Sequence, residues 1–138
     1  MITFNSGSTG YKLNNKRKIS SWIKNVINGN GRIAGDIAFA FMSDEELLEM
    51  NHKYLKHNTL TDILTFNYNE NDVVNGDICI SIDRVKENAL KFHVDTSSEL
   101  KRVMIHGILH LIGFNDKTEN EKSVMRSQED YYLAKVNF

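Results

Sequence analysis

Two histidines four residues apart, then a glycine, then a carboxylate, carry the clearest chemistry in this chain. They lie in His106-Gly107-Ile108-Leu109-His110-Leu111-Ile112-Gly113-Phe114-Asn115-Asp116. On a helix, positions i and i+4 sit ~40° apart in azimuth and about 6 Å apart in rise, so both imidazoles can reach one ion. Gly113 offers the helix a place to stop through a left-handed residue. Asp116 can then swing back as a third ligand. Three protein ligands leave one position open for water, the mark of a catalytic rather than a structural zinc site. The plainer alternative makes both histidines core residues bonded to backbone. Asp116 would then be a turn residue, or an acid complementing the dipole of the next helix.

The spacing is that of the metzincin protease motif, H-E-x-x-H-x-x-G-x-x-H. The decisive difference is Gly107, which stands where that motif has its general-base glutamate. Glycine inside a helix costs up to ~1 kcal/mol relative to alanine, so Gly107 is expected to be there for space. The missing base demotes peptide hydrolysis. It leaves metal-bound water or direct Lewis-acid action as the chemistry, with no side-chain base assigned.

These residues need a frame to hold them. Ile2 to Phe4 reads as a short strand, and Ile19, Trp22, Ile23, Val26 and Ile27 form the apolar stripe of a helix ended by Gly29 and Gly31. Ile33 to Phe41 reads as a mostly buried strand. Ser43 with Glu46, Thr96 with Glu99 and Thr118 with Glu121 each match S/T-x-x-E, which predicts helices over 44–56, 97–112 and 119–135. Ile63 to Tyr68 and Asp77 to Ile82 read as strands, and Asp83 as the cap of a helix over 84–93. The predicted order is β-α-β-α-β-β-α-α-α. This is an α/β (α+β) fold: one domain over 1–138, with a mixed, mostly parallel sheet of about four strands flanked by about five helices.

Composition narrows the class. The 138 residues suffice for one buried core, and 41% hydrophobic with 25% charged residues is an ordinary globular mix. The single cysteine, Cys79, excludes an intramolecular disulfide or a Cys-rich zinc site and fits a cytoplasmic location. The absence of proline excludes a cis-proline switch. The longest apolar run, Ile37 to Met42, is far short of a membrane helix, and the first residues do not read as a secretory signal. Net charge is −1 but unevenly spread: residues 1–35 carry +6 with no acid, and the remainder carries −7. That asymmetry allows a local basic face, although a solvated helix side explains it equally well.

Three blocks resemble one family. His-Gly-x-Leu-His-Leu-x-Gly-Phe followed by an acidic or His ligand is similar to the signature of the YbeY-type endoribonucleases, bacterial rRNA maturation factors. Asn51-His52-Lys53-Tyr54 with Thr61-Asp62-Ile63-Leu64-Thr65-Phe66 is similar to that family's N-x-x-Y … T-D-V-L-S-F segment. Gly76-Asp77-Ile78-Cys79-Ile80 is similar to its G-D-I-x-I strand, and the blocks come in the family's order. The resemblance implies a zinc-dependent single-strand endoribonuclease acting in 16S rRNA 3′-end maturation and ribosome quality control. Its partners would be an rRNA precursor in the small ribosomal subunit and a ribosomal protein or assembly GTPase.

Three departures stand out. Asp116 replaces the family's usual third histidine, which makes bound water less acidic and suits Fe2+ or Mn2+ as well as one Zn2+ per chain. Leu55 occupies the position of an arginine, and Leu60 that of a proline. If the arginine contacts phosphate, its role passes to Lys53 or Lys56.

Arg102, one turn before His106, is a candidate phosphate contact, with pairing to Glu99 or Asp95 as the alternative. Asp62 is a candidate outer partner of a ligating histidine, or a turn residue. His52, His57 and His93 lack ligand spacing, and Cys79 reads as a small core hydrophobe. Trp22, Phe66, Tyr131 and Tyr132 could stack on bases, although periodicity places most of them in the core. The basic first helix with Lys53 and Lys56 would follow an RNA backbone electrostatically. Two other functions compete: a metzincin-like metalloprotease, and a non-enzymatic ribosome-assembly factor braced by a structural metal.

Overall fold

The computed structural model describes residues 1–56 and 61–138, which leaves His57 and Leu60 outside it. The strands are β1 (Ile2–Asn5), β2 (Ile33–Met42), β3 (Ile63–Asn67) and β4 (Val73–Ser81). The helices are α1 (Lys16–Gly29), α2 (Asp44–Leu55), α3 (Ile82–Phe92), α4 (Thr96–Ile112) and α5 (Glu119–Leu133). A short 3-10 turn at Gly7–Thr9 follows β1. The four strands form one sheet in the order β1-β2-β4-β3. β1, β2 and β4 run parallel, and β3 is antiparallel to β4 at the edge. This is the predicted mixed sheet, and its element order is the predicted one.

Alternation along the strands divides the core. Ile37, Phe39, Phe41, Ile78 and Ile80 face α1, α3, α4 and α5, and almost all are fully buried. The opposite face is thinner: Ala40, Met42, Leu64, Phe66 and Cys79 pack with Leu47 and Met50 of α2, and Tyr54 meets Phe66 edge-on. The α1 stripe of Ile19, Trp22, Ile23, Val26 and Ile27 is buried as its periodicity predicts.

Two caps differ from expectation. α4 is capped by Asp95, whose side chain accepts from the Ser98 amide at 2.7 Å. Glu99 is therefore free of the capping box and is buried instead. α3 is capped by Ser81, which accepts from the Arg84 amide at 3.1 Å. Asp83 sits in the first turn and accepts from the Asp44 amide at 2.8 Å, tying α3 to α2. In both cases the short side chain with extended backbone lies one or two residues earlier than expected. The Ser43/Glu46 and Thr118/Glu121 capping boxes are present.

α4 is the buried centre of the helical layer, with ten of its residues inaccessible to solvent. It crosses close over the sheet because position 107 has no side chain. A Cβ there would stand 2.8 Å from Ile63 Cδ1 and 3.0 Å from Ile78 Cγ2. Gly107 is thus present for space, as its place in a helix interior suggested.

Candidate metal centre

The close approach at Gly107 brings the histidine face of α4 to the edge strand β3. α4 ends at Gly113, whose φ of +123° lets the chain reverse. The amides of Gly113 and Phe114 close the last turn on the Leu109 carbonyl at 3.1 and 3.0 Å. Phe114 packs against the core, and the Thr118 box starts α5. Asp116 is held between those two fixed points and returns over the histidines.

The three predicted ligands meet. His106 Nε2 and His110 Nε2 are 3.0 Å apart, and Asp116 Oδ2 lies 3.2 Å and 3.3 Å from them. Donors ~2.0 Å from one tetrahedral ion are separated by about 3.3 Å, so this triangle has the size of one face of a zinc-type coordination sphere. Two imidazole nitrogens and a carboxylate oxygen are a suitable donor set for zinc, iron or manganese. All three residues are half-buried and line an open cleft of about 300 Å³. Its other walls are Leu55 and the Thr61–Thr65 stretch of β3 and its lead-in.

Behind His106 stands a residue that the sequence did not announce. His106 Nδ1 lies 2.6 Å from Glu129 Oε2, on the buried face of α5. With Nδ1–H donating to the carboxylate, Nε2 is left as the lone-pair donor to the site. Glu129 Oε1 in turn accepts from Arg102 Nη1 at 2.8 Å, and Arg102 Nη2 donates to Asp130 at 2.7 Å. Burial alone would depress the His106 pKa. The hydrogen bond and charge of Glu129, with the charges of Asp116 and Asp62, outweigh it and leave the pKa raised. The signal for Glu129 was its spacing from Met125, one helical turn earlier on the same apolar face.

The other candidates fall differently. Arg102 is committed to Glu129 and Asp130 rather than to Glu99 or Asp95. Asp62 lines the cleft, where burial raises its pKa and the charge of His106 opposes that rise. Lys53 and Lys56 are exposed at the end of α2, and the cleft wall between them is Leu55. His52 and His93 lie outside the metal group. Cys79 is buried, which pushes its thiol pKa up to about 11, and Asp77 adds to the effect.

The "Endoribonuclease YbeY" family matches residues 4–137. The chain belongs to the YbeY endoribonuclease family. The YbeY endoribonuclease of Parabacteroides distasonis is 48% identical over 119 residues, covering 86% of this chain and 84% of that protein. The one from Flavobacterium psychrophilum is 44% identical over 133 residues, covering 96% and 94%. The solution structure of TM1509 from Thermotoga maritima superposes with a TM-score of 0.65 at 26% identity, covering 96% of this chain and 87% of that one. The YbeY resemblance read from the three sequence blocks therefore holds for nearly the whole chain. No helix among the described residues is long and apolar enough to cross a membrane.

Proposed function

We propose that this YbeY-family endoribonuclease is a single-strand RNA hydrolase whose metal, zinc by preference, is held by His106, His110 and Asp116. We assign it to 16S rRNA 3′-end maturation and ribosome quality control in the cytoplasm, as the family resemblance implies. Its substrate is then an rRNA precursor in the small subunit, met together with a ribosomal protein or assembly GTPase. The observation that carries the reading is the 3.0–3.3 Å donor triangle at the mouth of an open cleft. A divalent ion bound there supplies Lewis-acid polarisation of a phosphate oxygen and acidifies its water.

The chain's own residues do the rest. Glu129 holds the His106 proton at Nδ1 and keeps Nε2 aimed into the cleft. The Leu55 wall and the β3 segment hold the strand against the donors. Lys53 and Lys56 flank that wall and contact the phosphate backbone. Arg102 supports the site through Glu129 rather than by touching phosphate. A protease reading is disfavoured by Gly107, because even a Cβ at 107 would stand against Ile63 and Ile78 and leave no space for a general-base glutamate.

The test is elemental analysis of protein purified without a chelating resin, beside His110→Ala and Asp116→Ala. About one equivalent of zinc in the wild type, lost in both variants together with cleavage of single-stranded RNA, is expected. Iron or manganese would reassign the metal through Asp116. A folded wild type without metal would overturn the reading. Chelator-sensitive proteolysis without RNA cleavage would favour the protease. An inert, folded His110→Ala protein that restores rRNA processing in cells would favour the assembly factor.

A further inference from the structure

The cleft over the three ligands poses an electrostatic problem for an enzyme that takes RNA. Among the described residues its lining holds two carboxylates, Asp62 and Asp116, and no lysine or arginine. Arg102, the cation nearest on α4, is held by two acids. Apart from Lys53 and Lys56 at its rim, the cleft offers a polyanion no cationic side chain among the described residues, so further grip has to come from elsewhere.

A second concavity has the opposite character. Between α1 and the end of α5 lies a groove of about 720 Å³. Arg17, Lys18 and Lys135 line it, and no Asp or Glu does. All three cations are exposed, and among the described residues none is ion-paired. Trp22 forms the floor, its Nε1 donating to the Tyr132 carbonyl at 3.1 Å. Tyr131 stands on the rim with 55% of its surface exposed. The Lys135 ammonium lies 4.5 Å from the Tyr131 ring centroid, and that of Lys18 6.0 Å from Phe138. Unpaired cations beside an exposed ring are the combination that takes a single strand without reading its sequence, with phosphates on the cations and a base on the Tyr131 ring.

We infer that the α1/α5 groove is a second binding site for single-stranded RNA, distinct from the metal cleft, that adds the electrostatic grip the cleft lining lacks. The inference rests on the endoribonuclease reading above and deepens it. Glu129 and Tyr131 are two residues apart on α5, so about 200° separates them around the helix. A strand engaging both sites passes over α5, a helix ~10 Å across, and only an RNA longer than a few nucleotides can do so.

The experiment measures binding of a fluorescein-labelled single-stranded RNA of about 20 nucleotides, and of one of about four, to metal-loaded protein over a range of salt. Arg17→Glu/Lys18→Glu/Lys135→Glu is compared with wild type, and Tyr131→Ala is a second variant. The expected result is at least about a tenfold loss of affinity for the long RNA in the charge-reversal variant. Its log–log salt slope should be shallower by about 2, as three lost phosphate contacts on a single strand require. Tyr131→Ala should weaken the long RNA about tenfold with the slope unchanged. The preference for long over short RNA should vanish in the charge-reversal variant, while metal content and thermal unfolding stay at wild-type values.

Unchanged affinity and slope in the charge-reversal variant would overturn the inference. That would be the result if the groove served an acidic protein partner instead. A wild type that holds its metal but neither binds nor cleaves any RNA would overturn the endoribonuclease reading, and the groove assignment with it. Wild-type cleavage together with an indifferent variant would overturn the groove alone.

Discussion

The metal cleft and the α1/α5 groove are both braced by α5, which supports the cleft from behind through Glu129 and lines the groove with Tyr131 and Tyr132. Behind the cleft a chain of contacts restrains one ligand: His106 is held by Glu129, Glu129 by Arg102, and Arg102 by Asp130. Among the described residues the groove's cations have no ion-pair partner, and its rim ring is open to solvent. The contrast follows from the two tasks. Chemistry needs donors fixed within a fraction of an ångström, which requires buried partners and packed helices. Gripping a flexible polyanion needs long, solvated cations and accessible rings. A cleft that holds carboxylates to bind a cation is, for the same reason, poor at attracting phosphate without one.

The largest effect should come from the cleft's ligands. His110→Ala and Asp116→Ala are expected to lower metal content from about one equivalent to background and to abolish RNA cleavage, measured by elemental analysis and gel assay. If the two regions are separate, His110→Ala should retain most of its affinity for a long RNA. Loss of that affinity as well would break the comparison.

Gly107→Glu comes next. Side-chain atoms at 107 meet Ile63 and Ile78, so overpacking with a poorly solvated carboxylate should cost more than about 2 kcal/mol, read as a lower unfolding midpoint. No proteolysis should appear. A stable Gly107→Glu protein that cleaves casein would return the protease reading to first place.

Glu129→Ala removes only the outer support and should weaken metal binding 10–100-fold in a chelator competition. Glu129→Gln keeps the shape without the charge and should fall between the two. Equal metal affinity in all three would show that packing, not the carboxylate, orients His106.

The smallest effect tests whether the thin face of the sheet is closed. Cys79 is buried and its thiol pKa is near 11, so its labelling by a thiol reagent at pH 8 should require unfolding. Rapid labelling of native protein would mean that α2 opens readily.

Much of this was legible before any coordinates. The i, i+4 histidines, the reversing glycine and Asp116 are local in sequence, so helix geometry alone could place them together. The stripe in α1, the two strands in succession and two of the capping boxes are equally local, and all are present, although β4 begins at Val73, four residues before the expected Asp77. The caps of α3 and α4 were misplaced by one or two residues, because several short polar side chains compete at each start. Glu129 and the sequestration of Arg102 were not legible. They depend on how α5 lies against α4, 27 residues away along the chain.

By itself, then, the sequence determined the elements, the His106, His110 and Asp116 group and the family, because each is written in spacings shorter than a few helical turns or in blocks read in order. The tertiary structure alone decided which acid stands behind His106, that Arg102 pairs with Glu129 and Asp130, and that Arg17 and Lys18 share a groove with Lys135. Those are facts about distant segments brought together by burial, and no local period encodes them.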